Sequence, residues 1–507
     1  MNAKVTFPIG YQLESCASNI KLISEPVLLT LHPFGSNLDC SQSIGGKSTA
    51  NMSNNRKFYI ETYGCQMNFS DSEIVASVLS QNEFQQATSL EEASLVLLNT
   101  CSIRDNAEQR IWKRLKELKS LKKKNPGLQI GVIGCMASRL KDELMEGGLA
   151  VDLVAGPDSY RALPSLLTNI ENGQQAANVA LSAEETYDNI EPVRFHSNGI
   201  SAFISIMRGC ENFCSYCVVP FTRGKERSRN PHTIVEEARE LVSKGYQEVT
   251  LLGQNVNSYK WEDENGLVGF PDLMARIAEV SPLLRVRFTT SHPKDLSDDL
   301  LKVMASYPNI CPAVHLAVQS GNNRVLKLMN RKYTREWYLE RVAAIRHFIP
   351  DATITTDIIA GFCSETEEEQ KDTLSLMEEA AFDAAFMFRY SEREGTLASK
   401  RLPDDVPDEI KARRLDEIIK LQQNLSARSN RADIGKSFEV LVEGKSKRSD
   451  DFLMGRTPQN KVVVFPARSY KSGDRVWVKI TGSTPATLKG VPVTDDSIST
   501  SDDHNIR

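Results

Sequence analysis

The sequence predicts an α/β protein in three parts: an N-terminal parallel-sheet α/β domain, a partial (βα)6 barrel and a small C-terminal β-barrel. Three patterns carry that expectation. Apolar runs at Phe58–Tyr63, Leu95–Asn99 and Gln129–Ile133 alternate with helical stretches, as the strands of a helix-covered parallel sheet do. A second alternation begins near Ser201, with candidate strands at Ala202–Met207, Glu248–Leu252, Arg285–Thr289, Ala313–Val318, Thr353–Ile359 and Ala384–Tyr390. After Gly435 the apolar period drops to two, at Phe438–Val442, Phe452–Gly455, Lys461–Phe465 and Arg475–Ile480, which suits short strands joined by polar turns.

The chain has 507 residues, too many for one ordinary domain. Residues 1–55 are rich in Ser, Asn and Gly and lack periodicity, so they read as a largely unstructured extension; Met52, just before the first strand, would serve as a later translation start. The first domain is expected over 56–175. The barrel is expected over 196–430, with helices at Ile234–Gly245, Leu296–Tyr307 and Glu365–Ala381 between its strands. Six βα units fall short of the eight of a closed barrel, which leaves a side open to a large substrate. Pro403 and Pro407 then lead into a charged linker helix, Asp408–Asn430. The small barrel is expected over 431–495, and the acidic, Ser-rich tail 496–507 reads as disordered.

No run approaches the roughly 18 apolar residues of a membrane span, and no basic stretch followed by a long apolar one opens the chain. The expected location is the cytoplasm. Ten cysteines in a reducing compartment read as metal ligands, catalytic thiols or core residues before disulfides.

Cys210, Cys214 and Cys217 stand in the pattern Cys-x-x-x-Cys-x-x-Cys directly after the first barrel strand. That is the carboxyl end of the barrel, where active sites of such folds collect. Three thiolates on one loop can each bind one iron of a 4Fe–4S cluster and leave the fourth iron open to a substrate or cofactor. Structural zinc is the competing reading, but it asks for four closed ligands, and no fourth Cys or His lies close in sequence. Other strand ends would complete the site: Gly253-Gln254-Asn255 after the second strand, Gln319 after the fourth and Asp357 in the fifth.

Cys65, Cys101 and Cys135 share one local position, each ending a strand of the first domain, 36 and 34 residues apart. Parallel strands of one sheet present their carboxyl ends to one crevice, so three thiols there can converge on a cluster. The alternative is three unrelated half-buried cysteines, a common fate of this residue.

The loop and its setting resemble the radical AdoMet superfamily, in which the open iron binds S-adenosylmethionine and cluster reduction yields a 5′-deoxyadenosyl radical. Thr62-Tyr63-Gly64-Cys65-Gln66-Met67-Asn68, Asn99-Thr100-Cys101-Ser102-Ile103-Arg104 and Gly134-Cys135 resemble the N-terminal domain of the methylthiotransferase family. There the three cysteines hold an auxiliary 4Fe–4S cluster. The strings Val218-Val219-Pro220-Phe221-Thr222-Arg223-Gly224 and Leu252-Gly253-Gln254-Asn255-Val256-Asn257-Ser258-Tyr259 are similar to the MiaB-type branch. That resemblance implies an enzyme acting on tRNA: one S-adenosylmethionine methylates cluster-associated sulfur, and a second yields the radical that takes hydrogen from C2 of N6-isopentenyladenosine at position 37. It implies two 4Fe–4S clusters, S-adenosylmethionine contacts at Gly253, Gln254, Asn255, Gln319 and Asp357, a low-potential electron donor, a sulfur source and the tRNA anticodon stem-loop as partner. Ala317 stands where the family pattern has Pro, and Cys363-Ser364 where it has Pro-Gly. Cys363, Cys311, Cys16 and Cys40 read as structural thiols.

Charge points to RNA independently. The whole chain carries −5, yet segment 431–482 carries 11 Lys or Arg against 6 Asp or Glu. Basic small β-barrels grip nucleic-acid backbones, and this one resembles the TRAM domain. Its densest cluster is Lys445, Lys447 and Arg448. A second basic run, Arg223, Lys225, Arg227 and Arg229, begins six residues beyond Cys217 and is a further candidate for phosphate contact. A third, Arg110–Lys124, has Ile111, Leu115 and Leu118 at helical spacing and reads as a solvated helix face. Two other functions stay open at this stage: methylthiolation of a ribosomal protein or another tRNA adenosine, and a non-catalytic metal-containing RNA-binding protein.

Overall fold

The computed structural model describes residues 56–493, apart from 103–104, 196–197 and 265. The expectations for 1–55 and for the tail lie outside the described residues. Strands β1 (Lys57–Thr62), β2 (Gln85–Gln86), β3 (Leu95–Thr100), β4 (Gln129–Gly134), β5 (Leu153–Ala155) and β6 (Ala176–Asn178) form one sheet in the order β2-β1-β3-β4-β5-β6. Every pairing in it is parallel. Periodicity reveals only three of the six, because β2, β5 and β6 are two or three residues long and too short to show a period.

Helices α1 (Gln66–Ser80), α2 (Asp105–Lys124), α3 (Cys135–Arg139), α4 (Lys141–Glu146) and α5 (Leu163–Glu171) cover both faces of this sheet. Leu95 and Leu97 of β3 pack with Ile74 of α1 and Leu163 of α5; Val96 and Leu98, facing the other way, pack with Ile111 of α2, Met136 of α3 and Leu144 of α4. Each such buried aliphatic side chain contributes about 1.5–3 kcal/mol. The strand is apolar on both sides because both sides are covered. Helix α2 buries Ile111, Leu115 and Leu118 completely, and its Lys122–Lys124 run closes its last turn, where cations suit the helix dipole.

The second region holds strands β7 (Ser201–Ser205), β8 (Met207–Arg208), β9 (Arg227–Ser228), β10 (Glu248–Leu252), β11 (Lys260–Asp263), β12 (Gly266–Gly269), β13 (Arg285–Phe288), β14 (Ala313–His315), β15 (Thr353–Ala360) and β16 (Ala384–Arg389). Two parallel three-stranded sheets, β7-β10-β13 and β14-β15-β16, form its wall. Single parallel bridges, Val286 to Ile310 and Ser291 to Leu316, join them into a six-stranded arc. Among the described residues β7 and β16 are not paired, so the arc stays open, as six units predict. Helices α6 (Val219–Arg223), α7 (Pro231–Ser243), α8 (Phe270–Ala278), α9 (Asp298–Ser306), α10 (Asn323–Leu328), α11 (Arg335–Phe348), α12 (Glu367–Ala380), α13 (Leu397–Arg401) and α14 (Asp408–Arg431) complete it. Ile418 and Leu425 of α14 join the barrel's own core, so this helix packs on the barrel as well as leading out of it.

Strands β17 (Ser437–Ser446), β18 (Ser449–Arg456), β19 (Val462–Pro466), β20 (Arg475–Ser483) and β21 (Leu488–Pro492) close into a five-stranded barrel, β17-β18-β19-β21-β20. The fifth strand carries Gly490 and Pro492 and shows no clean alternation in sequence. Arg285, at the start of β13, donates to the backbone oxygens of Arg456 and Glu439 at 2.9 and 2.8 Å. Arg287 donates to those of Pro458 and Thr457, and Thr353 to that of Gln459. The small barrel therefore docks at the end where the arc's strands begin, opposite the end where Cys210 emerges.

Candidate active site

The three strand ends of the first domain are tied together by a polar lattice. Cys65 caps α1, and its backbone N–H donates to Asn68 Oδ1 at 3.2 Å. Asn68 Nδ2 donates to Asn99 Oδ1 and to the Thr100 carbonyl, while Asn99 Nδ2 donates back to the Asn68 carbonyl and to Ser72 Oγ. Thr100 Oγ1 donates to the Ile133 carbonyl at 2.7 Å, reaching the strand that ends at Cys135. All four polar side chains are buried and satisfied, a state that rigidifies a site. Gly64 makes room for the lattice: a Cβ there would stand 2.3 Å from Asn68 Oδ1 and 2.8 Å from Cys101 Cβ.

Cys65 lies within hydrogen-bond reach of Cys101, and this, with the nearby Arg223 charge, pulls the half-buried Cys65 thiol down to about 6. That shift favours the thiolate, the form that binds metal. Burial pushes the Cys135 thiol up, opposed by Arg223, whose Nε donates to Cys135 Sγ at 3.2 Å.

The second trio is held on one loop. Cys210 N–H donates to the Gly224 carbonyl and Cys217 N–H to that of Cys214. Gly209, at φ +78°, lets the loop pass the Lys225 carbonyl, which a Cβ would approach to 1.8 Å. Ser215 anchors the loop to the end of α10 through the Met329 and Leu328 carbonyls. Burial pushes the Cys210 thiol up to about 11 and raises Cys217 further. A buried thiol that resists ionisation alone suits a metal, which replaces its proton.

Arg331, absent from the sequence expectations, donates from Nη1 to Cys214 Sγ at 3.1 Å and from its other nitrogens to Tyr333 Oη and the Ala317 carbonyl. Its charge faces Cys214 and two tyrosines, and among the described residues no carboxylate forms an ion pair with it. A buried cation needs a counter-charge, and a thiolate-bound cluster is one. Among the described residues no three His, Cys, Asp or Glu side chains gather around one point as a single ion requires; a four-iron cubane takes one thiolate at each of separate corners. The donor chemistry fits clusters at both trios.

Of the expected S-adenosylmethionine contacts, Gln254 Oε1 accepts from Gly209 N–H, while its buried Nε2 has no partner among the described residues. Gln319 is buried in the left-handed region at φ +71°, between the backbones of Asp357 and Ile359. Asp357 meets His315 Nε2 at 3.3 Å. Asn255 is committed to scaffolding, donating to Asp295 and accepting from His292 N–H. At Gly253 the space a Cβ would need is taken by Met207.

Three of the proposed RNA contacts are corrected. Arg223, Arg227 and Arg229 are only 3–6% exposed and point inward. Arg223 Nη2 meets Asp71 at 2.7 Å, Arg227 makes a forked pair with Asp158 at 2.9 Å, and Arg229 meets Asp188 and Glu237. Their carboxylates lie 8 to 152 residues away, so the run looks solvated in sequence although it is an interface. With Arg208, fully buried on Asp71, Arg223 and Arg227 join the first domain to the barrel, while Arg229 ties the barrel to the segment between the two. Losing one partner of such a buried pair costs roughly 3–5 kcal/mol. Lys225, Lys445, Lys447 and Arg448 are exposed.

The departures from the family pattern also have a structural account. Ser364 adopts φ +58°, the left-handed region that favours glycine. Arg324 and Asp405 hold it there through Ser364 Oγ, its carbonyl and its N–H. Cys363 is buried in an apolar cluster with Phe362 and Tyr390, against which Tyr216 of the cysteine loop packs. The Ala317 carbonyl accepts from Arg331 and Tyr333.

A parallel arc with this cysteine loop at the carboxyl end of its first strand defines a radical S-adenosylmethionine protein. The comparisons agree: residues 204–377 match the Radical SAM superfamily, 431–493 the TRAM domain and 57–156 the uncharacterized protein family UPF0004. Among solved structures, the radical S-adenosylmethionine methyltransferase TsrM from Kitasatospora setae shares the fold, with a TM-score of 0.51 at 14% identity over 66% of this chain and 72% of that one.

Among curated proteins, the tRNA-2-methylthio-N(6)-dimethylallyladenosine synthase of Phocaeicola vulgatus is 59% identical over 88% of this chain and 98% of its own. That of Porphyromonas gingivalis is 53% identical over 89% and 98%. The chain belongs to the tRNA-2-methylthio-N(6)-dimethylallyladenosine synthase family. Among the described residues no helix is long and apolar enough to cross a membrane.

Proposed function

We propose that this chain methylthiolates C2 of N6-isopentenyladenosine at position 37 of tRNA, using S-adenosylmethionine as methyl donor and as radical source. The observation that carries this reading is the contact across the domain interface in which Arg223, six residues beyond Cys217 on the barrel side, touches Cys135 of the first domain. When bound, two 4Fe–4S clusters and S-adenosylmethionine supply electron transfer, a methyl group and hydrogen abstraction.

Cys210, Cys214 and Cys217 would hold the reactive cluster, with Arg331 as donor and counter-charge. Cys65, Cys101 and Cys135 would hold the auxiliary one. Gln254, Gln319 and Asp357 are the side chains proposed to meet S-adenosylmethionine, Gln254 through its free Nε2; Gly253 and Asn255 shape the loop that carries it. Lys225, Lys445, Lys447 and Arg448 offer charge to the phosphates of the anticodon stem-loop. A low-potential electron donor and a separate sulfur source complete the reaction in the cytoplasm.

Nucleoside mass spectrometry of tRNA from a deletion strain tests the substrate. Loss of methylthio-isopentenyladenosine with accumulation of isopentenyladenosine is expected. An unchanged tRNA profile, with a change of mass in a ribosomal protein instead, overturns the reading.

A further inference from the structure

Arg223 is held more firmly than a domain clamp requires. It ends α6, which begins two residues after Cys217. Its Nη2 takes Asp71 at 2.7 Å, its Nε takes Cys135 Sγ at 3.2 Å, and its Nη1, fully buried, has no partner among the described residues. A guanidinium offers five donors in a planar fork; here its Nε–Nη2 edge is shared between Cys135 and Asp71, and Nη1 is answered by neither.

The surrounding charges do not balance either. Arg208, Arg223 and Arg227 bring three positive charges, and Asp71 and Asp158 bring two negative ones. Asp71 is already shared by Arg208 and Arg223. The surplus cation sits beside Cys135 and Cys65, the groups its charge also acts on. A clamp alone would explain the Asp71 bond, but it does not explain the N–H to sulfur contact with Cys135 or why the cation left over by the two carboxylates sits beside the cysteines.

The geometry points to Arg223 as the residue that sets the reduction potential of the auxiliary cluster, through the Nε–H it donates to Cys135 and through its buried charge. This rests on the proposal above that Cys65, Cys101 and Cys135 bind a 4Fe–4S cluster. Reduction adds one electron and one negative charge to the cluster. Donors to its sulfurs and a nearby cation stabilise that reduced form and raise its potential. Arg223 is in this sense a positioning residue that acts on the cluster without reacting.

The test uses the full chain carrying Cys210→Ala, Cys214→Ala and Cys217→Ala, reconstituted anaerobically with iron and sulfide so that only the auxiliary cluster forms. Its potential is read by dithionite titration, following the paramagnetic signal of the reduced cluster. Arg223→Gln is expected to lower the potential, and Arg223→Lys, which keeps the charge but loses the fork, to lower it less.

Asp71→Asn supplies the discriminating sign. It loosens the same clamp but leaves the guanidinium on the cluster, so the potential should rise. If Arg223 is only a clamp, Asp71→Asn and Arg223→Lys shift the potential in the same direction or not at all, and the proposal falls. Where Arg223→Gln does not hold iron, the Arg223→Lys and Asp71→Asn pair still decides. A parent triple variant that binds no iron would instead overturn the assignment of the auxiliary cluster.

Discussion

Cys210, Cys214 and Cys217 share one loop, whereas Cys65, Cys101 and Cys135 come from three strands 36 and 34 residues apart. The loop trio owes its spacing to one short stretch of chain bent at Gly209, and its anchorage to the Ser215 bonds to the end of α10. The strand-end trio is shaped by the register of a parallel sheet and by the Asn68–Asn99 lattice that spans it. A local site survives damage elsewhere; an assembled one reports on every strand that contributes to it.

The sharpest way to separate the two is to remove one thiol from each. Cys214→Ala should abolish S-adenosylmethionine cleavage, and Cys101→Ala should retain part of it while losing all methylthio product. Iron should fall from about eight to about four per chain in each variant. Full methylthio activity in Cys101→Ala would erase the distinction between the trios.

Backbone substitution probes the same difference one step back. Gly209→Ala meets the Lys225 carbonyl, which belongs to the backbone and cannot turn aside, and adds left-handed strain of about 1–2 kcal/mol. It should lose the reactive cluster and keep the auxiliary one. Gly64→Ala presses on Asn68 and Cys101 and should do the opposite. Iron content and reduced-cluster spectra of the two variants distinguish these outcomes; identical losses in both would mean that the trios fold as one unit.

A smaller effect is expected in acid, at His292. Burial, with Arg331 and Lys294 nearby, holds His292 down at about 2, below its ordinary 6.5. The unfolded chain therefore binds a proton first, and stability is lost as pH falls below about 6.5. One pH unit below that, the loss is roughly 1.4 kcal/mol. Denaturation midpoints at pH 7.5 and 5.5 should separate more in the parent than in His292→Phe; an equal separation would remove this source.

The smallest change is at Ser364, behind the loop trio. Ser364→Gly relieves the left-handed backbone but gives up the Arg324 contact to Oγ, so the net gain should be no more than about 1 kcal/mol. A melting-temperature comparison checks it, and a clear loss would show that the Arg324 contact outweighs the strain.

The same contrast explains what was legible in the sequence. The loop trio announces itself by spacing, and the strand-end trio by the repeated strand–Cys pattern, because strands of five or six residues show their period. The open arc follows from counting six such units. Arg331 was not visible: it stands among Met329, Asn330 and Lys332 with nothing periodic about it, and its relation to Cys214 spans 117 residues. The basic run after Cys217 was misread for the same reason. Charge in sequence looks like surface until the carboxylates that bury it are found, and Asp71 and Asp158 lie in another domain.

Those two aspartates also bear on how the chain is made. Asp71 leaves the ribosome long before Arg208 and Arg223, which follow 137 and 152 residues later. At about 5–20 residues per second that is a wait of roughly 7–30 s. Through that interval the first domain carries carboxylates that it cannot bury with any cation of this network. Its last closure, and with it the crevice around Cys65, Cys101 and Cys135, must await the start of the barrel. The order of synthesis thus becomes an order of maturation, in which the crevice closes only when the protein that will use it is already emerging.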